Sequence, residues 1–180
     1  MKRIRTRHRI DFPPAQVWAV LTDFRAYADW NPLNVWADGD ARRGARVAMR
    51  FVDAGGGKGK VIAQTVTITD CVPERRLEWV GRIPLLFTGR HFFELSPSGG
   101  GTDLVHGEDL SGLLPMTFSK GRIERQKAAY QAMNAQVTTA TYANGFFVVA
   151  IMGAIAAGLA VFMRSGRNKA TAAKREPVEL

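Results

Sequence analysis

Pro115 separates two stretches that repeat with different periods, and this change limits the folds open to the chain more than any other feature. In residues 3–12, Arg3, Arg5, Arg7, Arg9 and Asp11 fall on one side and Ile4, Thr6, His8, Ile10 and Phe12 on the other. A period of two marks a half-buried strand, which puts the arginines on the wet face. Residues 33–110 read as six further short strands. Val47, Met49 and Phe51 alternate with Arg46, Ala48 and Arg50, and residues 60–71 are rich in β-branched side chains. Strands at 77–82 and 88–95 follow, and Pro97-Ser98-Gly99-Gly100-Gly101 turns the last of these back into 102–110. Beyond Pro115 the period becomes helical. Met116, Ile123, Tyr130, Met133 and Val137 share one face and Lys120, Arg122, Arg125 and Lys127 mostly avoid it, which predicts an amphipathic helix of about six to seven turns.

Between the first strand and the rest, Pro13-Pro14 ends the strand and suits the first turn of a helix. Val17, Val20, Leu21 and Phe24 recur at helical spacing, and a second short helix at 27–30 stops at Asn31-Pro32. The order is strand, two short helices, six strands, long helix. That order predicts the α+β class, with an antiparallel sheet wrapped on the long helix.

A second feature is an absence of charge. No charged residue occurs from 128 to 163, and residues 146–163 carry no strongly polar side chain. A stretch of this length is expected to cross a membrane, with Arg164 and Arg167 at headgroup level. The expected organisation is a domain over 1–143, a transmembrane helix over 144–164 and a basic, disordered tail over 165–180, with Asn144-Gly145 as the joint. Ala150 with Ala154, Gly153 with Ala157 and Ala154 with Gly158 have the small-residue spacing that permits a weak homodimer through this helix. The N-terminus reads without a secretory signal, so the expected location is the cell membrane, crossed once, with the main domain in the cytoplasm.

The formal net charge of +9 collects at the ends, in Lys2, Arg3, Arg5, Arg7 and Arg9 and in Arg164, Arg167, Lys169, Lys174 and Arg175. Basic ends suit anionic headgroups. Net charge by itself does not indicate nucleic-acid binding, and no nucleic-acid partner is expected. The single cysteine, Cys71, excludes an intrachain disulfide. Gly55-Gly56-Gly57-Lys58-Gly59 lacks the spacing of a phosphate loop, and no nucleophile elbow, dinucleotide fingerprint or cysteine metal cluster is present.

Residues 12–24, Phe-Pro-Pro-Ala-Gln-Val-Trp-Ala-Val-Leu-Thr-Asp-Phe, followed by Trp30-Asn31-Pro32, resemble the opening of the START-like superfamily that includes polyketide cyclases and the birch-pollen-allergen fold. Leu77-Glu78-Trp79-Val80-Gly81, Phe87-Thr88-Gly89-Arg90-His91-Phe92-Phe93, residues 108–114 and Ala132-Met133-Asn134 are similar to its bacterial SRPBCC branch. The resemblance covers roughly residues 1–140 and implies a helix-grip fold. In that fold a seven-stranded sheet grips the long helix around a cavity. A membrane helix is foreign to that pattern.

If the pocket lies between sheet and helix, its lining follows from strand parity. Across the glycine turn Leu95 should pair with Leu104, Phe93 with His106 and His91 with Glu108, all on the inner face. His8 falls on the inner face of the first strand, which the resemblance places beside the last. Expected ligand-cavity residues are therefore His8, Trp36, Phe51, Trp79, His91, Phe93, His106, Glu108, Tyr130 and Met133. His91, His106 and Glu108 are the candidates for acid–base chemistry of the cyclase or dehydratase type. Two histidines and a carboxylate also suit a metal, but the expectation is a site without metal or cofactor, in which these side chains satisfy one another. The leading functional expectation is a membrane-anchored binding module for a lipid, quinone or polyketide-like molecule. The alternatives are an enzyme using the His/Glu pair and a regulatory domain that docks through its arginine-rich first strand.

Overall fold

The computed structural model describes residues 1–56 and 59–173, with the side chains of 146–154 and 156–173 left out of that description. Seven strands, β1 (Lys2–Ile10), β2 (Asn34–Asp38), β3 (Arg46–Val52), β4 (Val61–Val72), β5 (Arg76–Ile83), β6 (Phe87–Ser98) and β7 (Gly101–Ser111), form one antiparallel sheet in the order β1-β7-β6-β5-β4-β3-β2. Helices α1 (Pro14–Thr22) and α2 (Tyr27–Trp30) follow β1, α3 (Leu113–Met116) follows β7, and α4 spans Lys120–Ala173. This is the helix-grip arrangement.

Each element follows from local chemistry. Pro13 and Pro14 open α1, whose Val17, Val20 and Leu21 are buried. The Tyr27 hydroxyl donates to the Leu21 carbonyl at 2.7 Å and holds α2 against α1. Gly99 and Gly100, with φ of +44° and +83°, make the two-residue turn between β6 and β7. Left-handed dihedrals at both positions match the twist of a hairpin and favour glycine. The turn fixes the register that parity predicts: Leu95 faces Leu104, Phe93 faces His106 and His91 faces Glu108.

The core lies between the inner face of the sheet, α1 and α4. On α4, Tyr130, Met133, Asn134, Val137 and Thr141 are buried at spacings of three and four. The outer face of the sheet is sealed by ion pairs. Arg5 and Arg90 both engage Asp109, Arg76 engages Glu78 and Glu94, and the guanidinium groups of Arg5 and Arg76 lie over the Phe92 ring at 4.5 and 4.9 Å.

The long helix begins later than its sequence pattern implies. Pro115 lies inside α3, and the chain leaves helix at Thr117. The Ser119 hydroxyl then accepts from the Arg122 backbone N–H at 3.2 Å, as a helix cap does. Met116, expected on the core face of the long helix, is 73% exposed.

The chain divides into two compact units, Met1–Tyr142 and Ala143–Leu180. The backbone is helical at Asn144 and Gly145, where the sequence suggests a joint. Among the described residues no helix is long and apolar enough to cross a membrane. Except for Ile155, the expected membrane segment 146–163 and the small-residue pairs within it lie outside the residues whose side chains are described, as does the basic tail.

Candidate functional site

Between the sheet and α4 lies a cavity of about 500 Å³. Its walls are mostly apolar, with Leu33, Phe51, Val66, Trp79, Leu110 and Met133 among them. Among its lining residues Ile62 on β4, Ile83 on β5 and Leu114 on α3 are exposed. One wall is polar and is made by His91, Glu108 and Tyr130.

The polar wall is assembled by register and helix spacing. His91 and Glu108 are cross-strand partners, and His106 lies diagonal to His91. Tyr130 and Asn134, four residues apart on α4, present the same face to them. Asn134 Nδ2 donates to Thr6 Oγ1 at 2.9 Å, and Thr6 Oγ1 donates to the His106 carbonyl at 3.0 Å. His106 Nδ1 meets Asn134 Oδ1 at 2.7 Å, and His106 Nε2 meets His91 Nε2 at 3.0 Å. The Tyr130 hydroxyl lies 3.3 Å from His91 Nδ1 and 2.6 Å from Glu108 Oε2. The rings stack as well, Tyr130 on His106 at 4.3 Å and Trp79 on His91 at 4.5 Å.

Counting donors and acceptors assigns the protons. Asn134 Oδ1 can only accept, so His106 carries its proton on Nδ1. Its bare Nε2 then accepts from His91 Nε2–H, which leaves His91 Nδ1 as an acceptor facing Tyr130. Tyr130 has one proton and two acceptors. While Glu108 is ionised the phenol donates to the carboxylate. When Glu108 is protonated it can donate to Tyr130, and Tyr130 to His91. With Glu108 protonated the chain runs one way, from Glu108 through Tyr130, His91 and His106 to Asn134, and Glu108 is its terminus at the cavity.

Electrostatics agree with this assignment. Burial, together with the neighbouring His106, holds His91 well below the usual imidazole range. Burial brings His106 down to about 3 against the opposing bond from Asn134. Both rings are neutral near pH 7. Burial pushes Glu108 up to about 7 although the Tyr130 bond favours its anion. A carboxyl poised there can hold or release a proton at neutral pH.

Of the expected cavity residues, Phe51, Trp79, His91, Glu108, Tyr130 and Met133 line the cavity. His106 and Phe93 do not reach it. They are wholly buried behind His91, His106 as the ring that fixes the His91 tautomer and Phe93 as packing against Trp79. His8 is a correction. It pairs with Leu104, one pleat beyond Thr6 and His106, and its Nε2 meets Thr138 Oγ1 on α4 at 2.9 Å. Trp36 is another. A bulge between Asn34 and Trp36 turns Asn34 inward and Trp36 outward, where it is 39% exposed with the Arg50 guanidinium 5.2 Å from its ring. Among the described residues no group of three His, Cys, Asp or Glu side chains could hold a metal ion. The Nε2 atoms of His91 and His106 face each other rather than a shared point.

Sequence reasoning gave no role to Asn134, Thr6, Asn34 or Gln64. A polar residue on the apolar stripe of the long helix was the available signal for Asn134. Asn34 and Gln64 carried none.

A family model described as polyketide cyclase / dehydrase and lipid transport matches residues 1–140. No curated protein matches the sequence. Among solved structures, a START superfamily protein from Mycobacterium smegmatis superposes with a TM-score of 0.65 at 12% identity, covering 78% of this chain and 97% of its own. A protein from Chromobacterium violaceum gives a TM-score of 0.60 at 21% identity, covering 77% and 96%. One from Thermus thermophilus gives 0.58 at 17%, covering 77% and 99%. At these identities the likeness concerns the fold alone.

Proposed function

The chain belongs to the polyketide cyclase / dehydrase and lipid transport family, and from that premise we propose that its domain, residues 1–143, encloses an apolar small molecule whose polar group meets Glu108, Tyr130 and His91. The observation that carries this reading is the mostly apolar cavity of about 500 Å³ closed on one wall by those three side chains. Such a volume suits a ring compound or a folded chain, with a few polar groups to orient it. The candidate ligand classes are a lipid, an isoprenoid quinone and a polyketide-like ring.

The proposal includes a membrane anchor over residues 146–163, supported by their uncharged sequence and by Arg164 and Arg167 beside them. It places the main domain in the cytoplasm and leaves room for weak self-association through the small residues of the anchor. An anchor of this kind keeps the cavity near the phase in which apolar ligands partition.

The test of the binding reading is a titration with 1-anilinonaphthalene as an apolar fluorescent probe. The wild-type chain is expected to bind one equivalent with enhanced emission. Met133→Trp, which fills the cavity from α4, is expected to lose that site while keeping the fold by circular dichroism. Equal binding by both proteins would refute a cavity site.

A second reading is favoured by one observation, the proton-bearing carboxyl at about 7 on the cavity wall. It is acid–base catalysis of the cyclase or dehydratase type, with Glu108 moving a proton next to a substrate carbonyl. Its mark would be turnover in which Glu108→Gln lowers kcat far more than it raises KM.

A further inference from the structure

Gly81 and Gly89 are direct partners on β5 and β6, and both line the cavity. Neither has the positive φ that calls for glycine, so the missing side chains serve space rather than backbone. A Cβ on Gly81 would lie 2.6 Å from Gln64 Oε1 and 2.9 Å from Gln64 Nε2. A Cβ on Gly89 would lie 3.0 Å from Glu108 Oε1 and from the Phe87 ring. The two glycines therefore clear a strip of sheet over which the Gln64 amide comes in from one side and the Glu108 carboxyl from the other.

The Gln64 amide is unsatisfied there. Its Nε2 is buried with no hydrogen-bond partner, and so is Asn34 Oδ1, on a residue only 2% exposed. Both residues line the cavity. They are linked through Met49, which is the register partner of Gln64 and whose sulfur accepts from Asn34 Nδ2 at 3.8 Å. That contact fixes which way the Asn34 amide points. Among the described residues three buried side-chain atoms lack partners, and the two on cavity-lining residues are one donor, on β4, and one acceptor, on β2, the third being Asn31 Nδ2 outside the lining. Buried polar atoms are rarely left unpaired, because each gives up its water for nothing. A group that accepts from one and donates to the other resolves both, and a hydroxyl is the simplest such group.

We infer that Gln64 and Asn34 form a second polar subsite, which takes a hydroxyl group on the otherwise apolar ligand. This deepens the binding reading and rests on it. The ligand class narrows from any hydrophobic molecule to one with oxygen functions at two separated points, one against Glu108 and one against Gln64. A hydroxylated ring compound fits, and a hydrocarbon chain with one polar head does not.

The test uses the full chain in detergent and three matched probes: naphthalene, 2-methoxynaphthalene and 2-naphthol. Equilibrium dialysis against protein-free detergent corrects for partition into micelles. Wild type is expected to bind 2-naphthol at least tenfold more tightly than naphthalene, with 2-methoxynaphthalene, which cannot donate, in between. Gln64→Leu removes a side chain without a hydrogen bond in this structure, so it should fold. It is expected to bind naphthalene as wild type does and to lose most of the preference for 2-naphthol. Asn34→Leu should lose the preference over 2-methoxynaphthalene specifically. An unchanged preference in both variants would overturn the subsite. A preference lost in Glu108→Gln but kept in Gln64→Leu would place the hydroxyl at Glu108 and overturn it equally. Failure of wild type to bind even naphthalene would refute the cavity reading itself, and the subsite with it.

Discussion

Unlike Asp53, which also lines the cavity and pairs with Arg122, Glu108 lines the cavity without a cation beside it. Arg5 and Arg90 neutralise its neighbour Asp109 on the opposite face of the same strand and hold that carboxyl below its usual range, although burial by itself acts the other way. Only the Tyr130 hydroxyl serves Glu108. Because its folded value of about 7 exceeds the unfolded one, the folded state holds the extra proton between about pH 4.5 and 7. Stability from this group is full below that window and is lost as pH rises through it, on the order of 3 kcal/mol. His91 and His106 act oppositely. Their folded values are depressed, so their contribution is present above pH 6.5 and is lost as pH falls, that of His106 as pH falls to about 3. Two histidines outweigh one carboxyl on the acid side, so stability should rise with pH and level off near pH 7. From pH 6 to pH 8 the opposing effects nearly cancel in the wild type, whereas Glu108→Gln should leave the histidine rise of about 1 to 2 kcal/mol, which urea unfolding at pH 6 and pH 8 would measure. A Glu108→Gln variant whose stability changes from pH 6 to pH 8 no more than that of the wild type would contradict the assignment. Asn134→Leu should cost about 2 kcal/mol, because it orphans the buried His106 Nδ1–H and removes the donor to Thr6 Oγ1, whose own proton still reaches the His106 carbonyl.

At the scale of elements, the hairpin turn and the sheet floor set the site. Gly100→Val forces a branched residue to a φ of +83° and threatens the register that pairs His91 with Glu108. Slower refolding and a lower midpoint are expected, with the unfolding transition as readout. Gly81→Ala has a different signature. Its Cβ would press on the end of a flexible amide, so the fold should survive while affinity for 2-naphthol falls about tenfold. Much of this level was legible in the sequence. Alternation marked β1 and β3, β-branched composition marked β4, and the glycine turn set the β6–β7 register, because all three depend on neighbours along the chain, whereas β2 carried no mark that fixed its bounds. The parts that were not legible depend on neighbours in space. The bulge that turns Trp36 outward leaves no mark in composition. The late start of α4 comes from a break at Thr117 and a cap at Ser119, which the helical spacing of Met116 with Ile123 disguised. His8 was misplaced because the β1–β7 register sets Thr6, and not His8, opposite His106, so the His8 ring meets Thr138 on α4 instead.

For the whole molecule, the domain and the apolar segment after it make separate predictions. If residues 146–163 anchor the chain, a version ending at residue 143 should move from the carbonate-washed membrane pellet to the supernatant and still bind 1-anilinonaphthalene. A full-length chain found only in the supernatant would remove the anchor and leave the cavity reading untouched. The arginines of β1 are less promising as a docking face than their number implies, since Arg5 and Arg9 are engaged by Asp109, Asp11 and Ser98. The central claim concerns the cavity, and native mass spectrometry of the full-length protein, extracted gently from its own host, tests it most directly. The account predicts a reproducible adduct of an apolar, hydroxyl-bearing mass that is present in wild type and absent in Met133→Trp. The same adduct on both proteins, bound with equal occupancy, would contradict it.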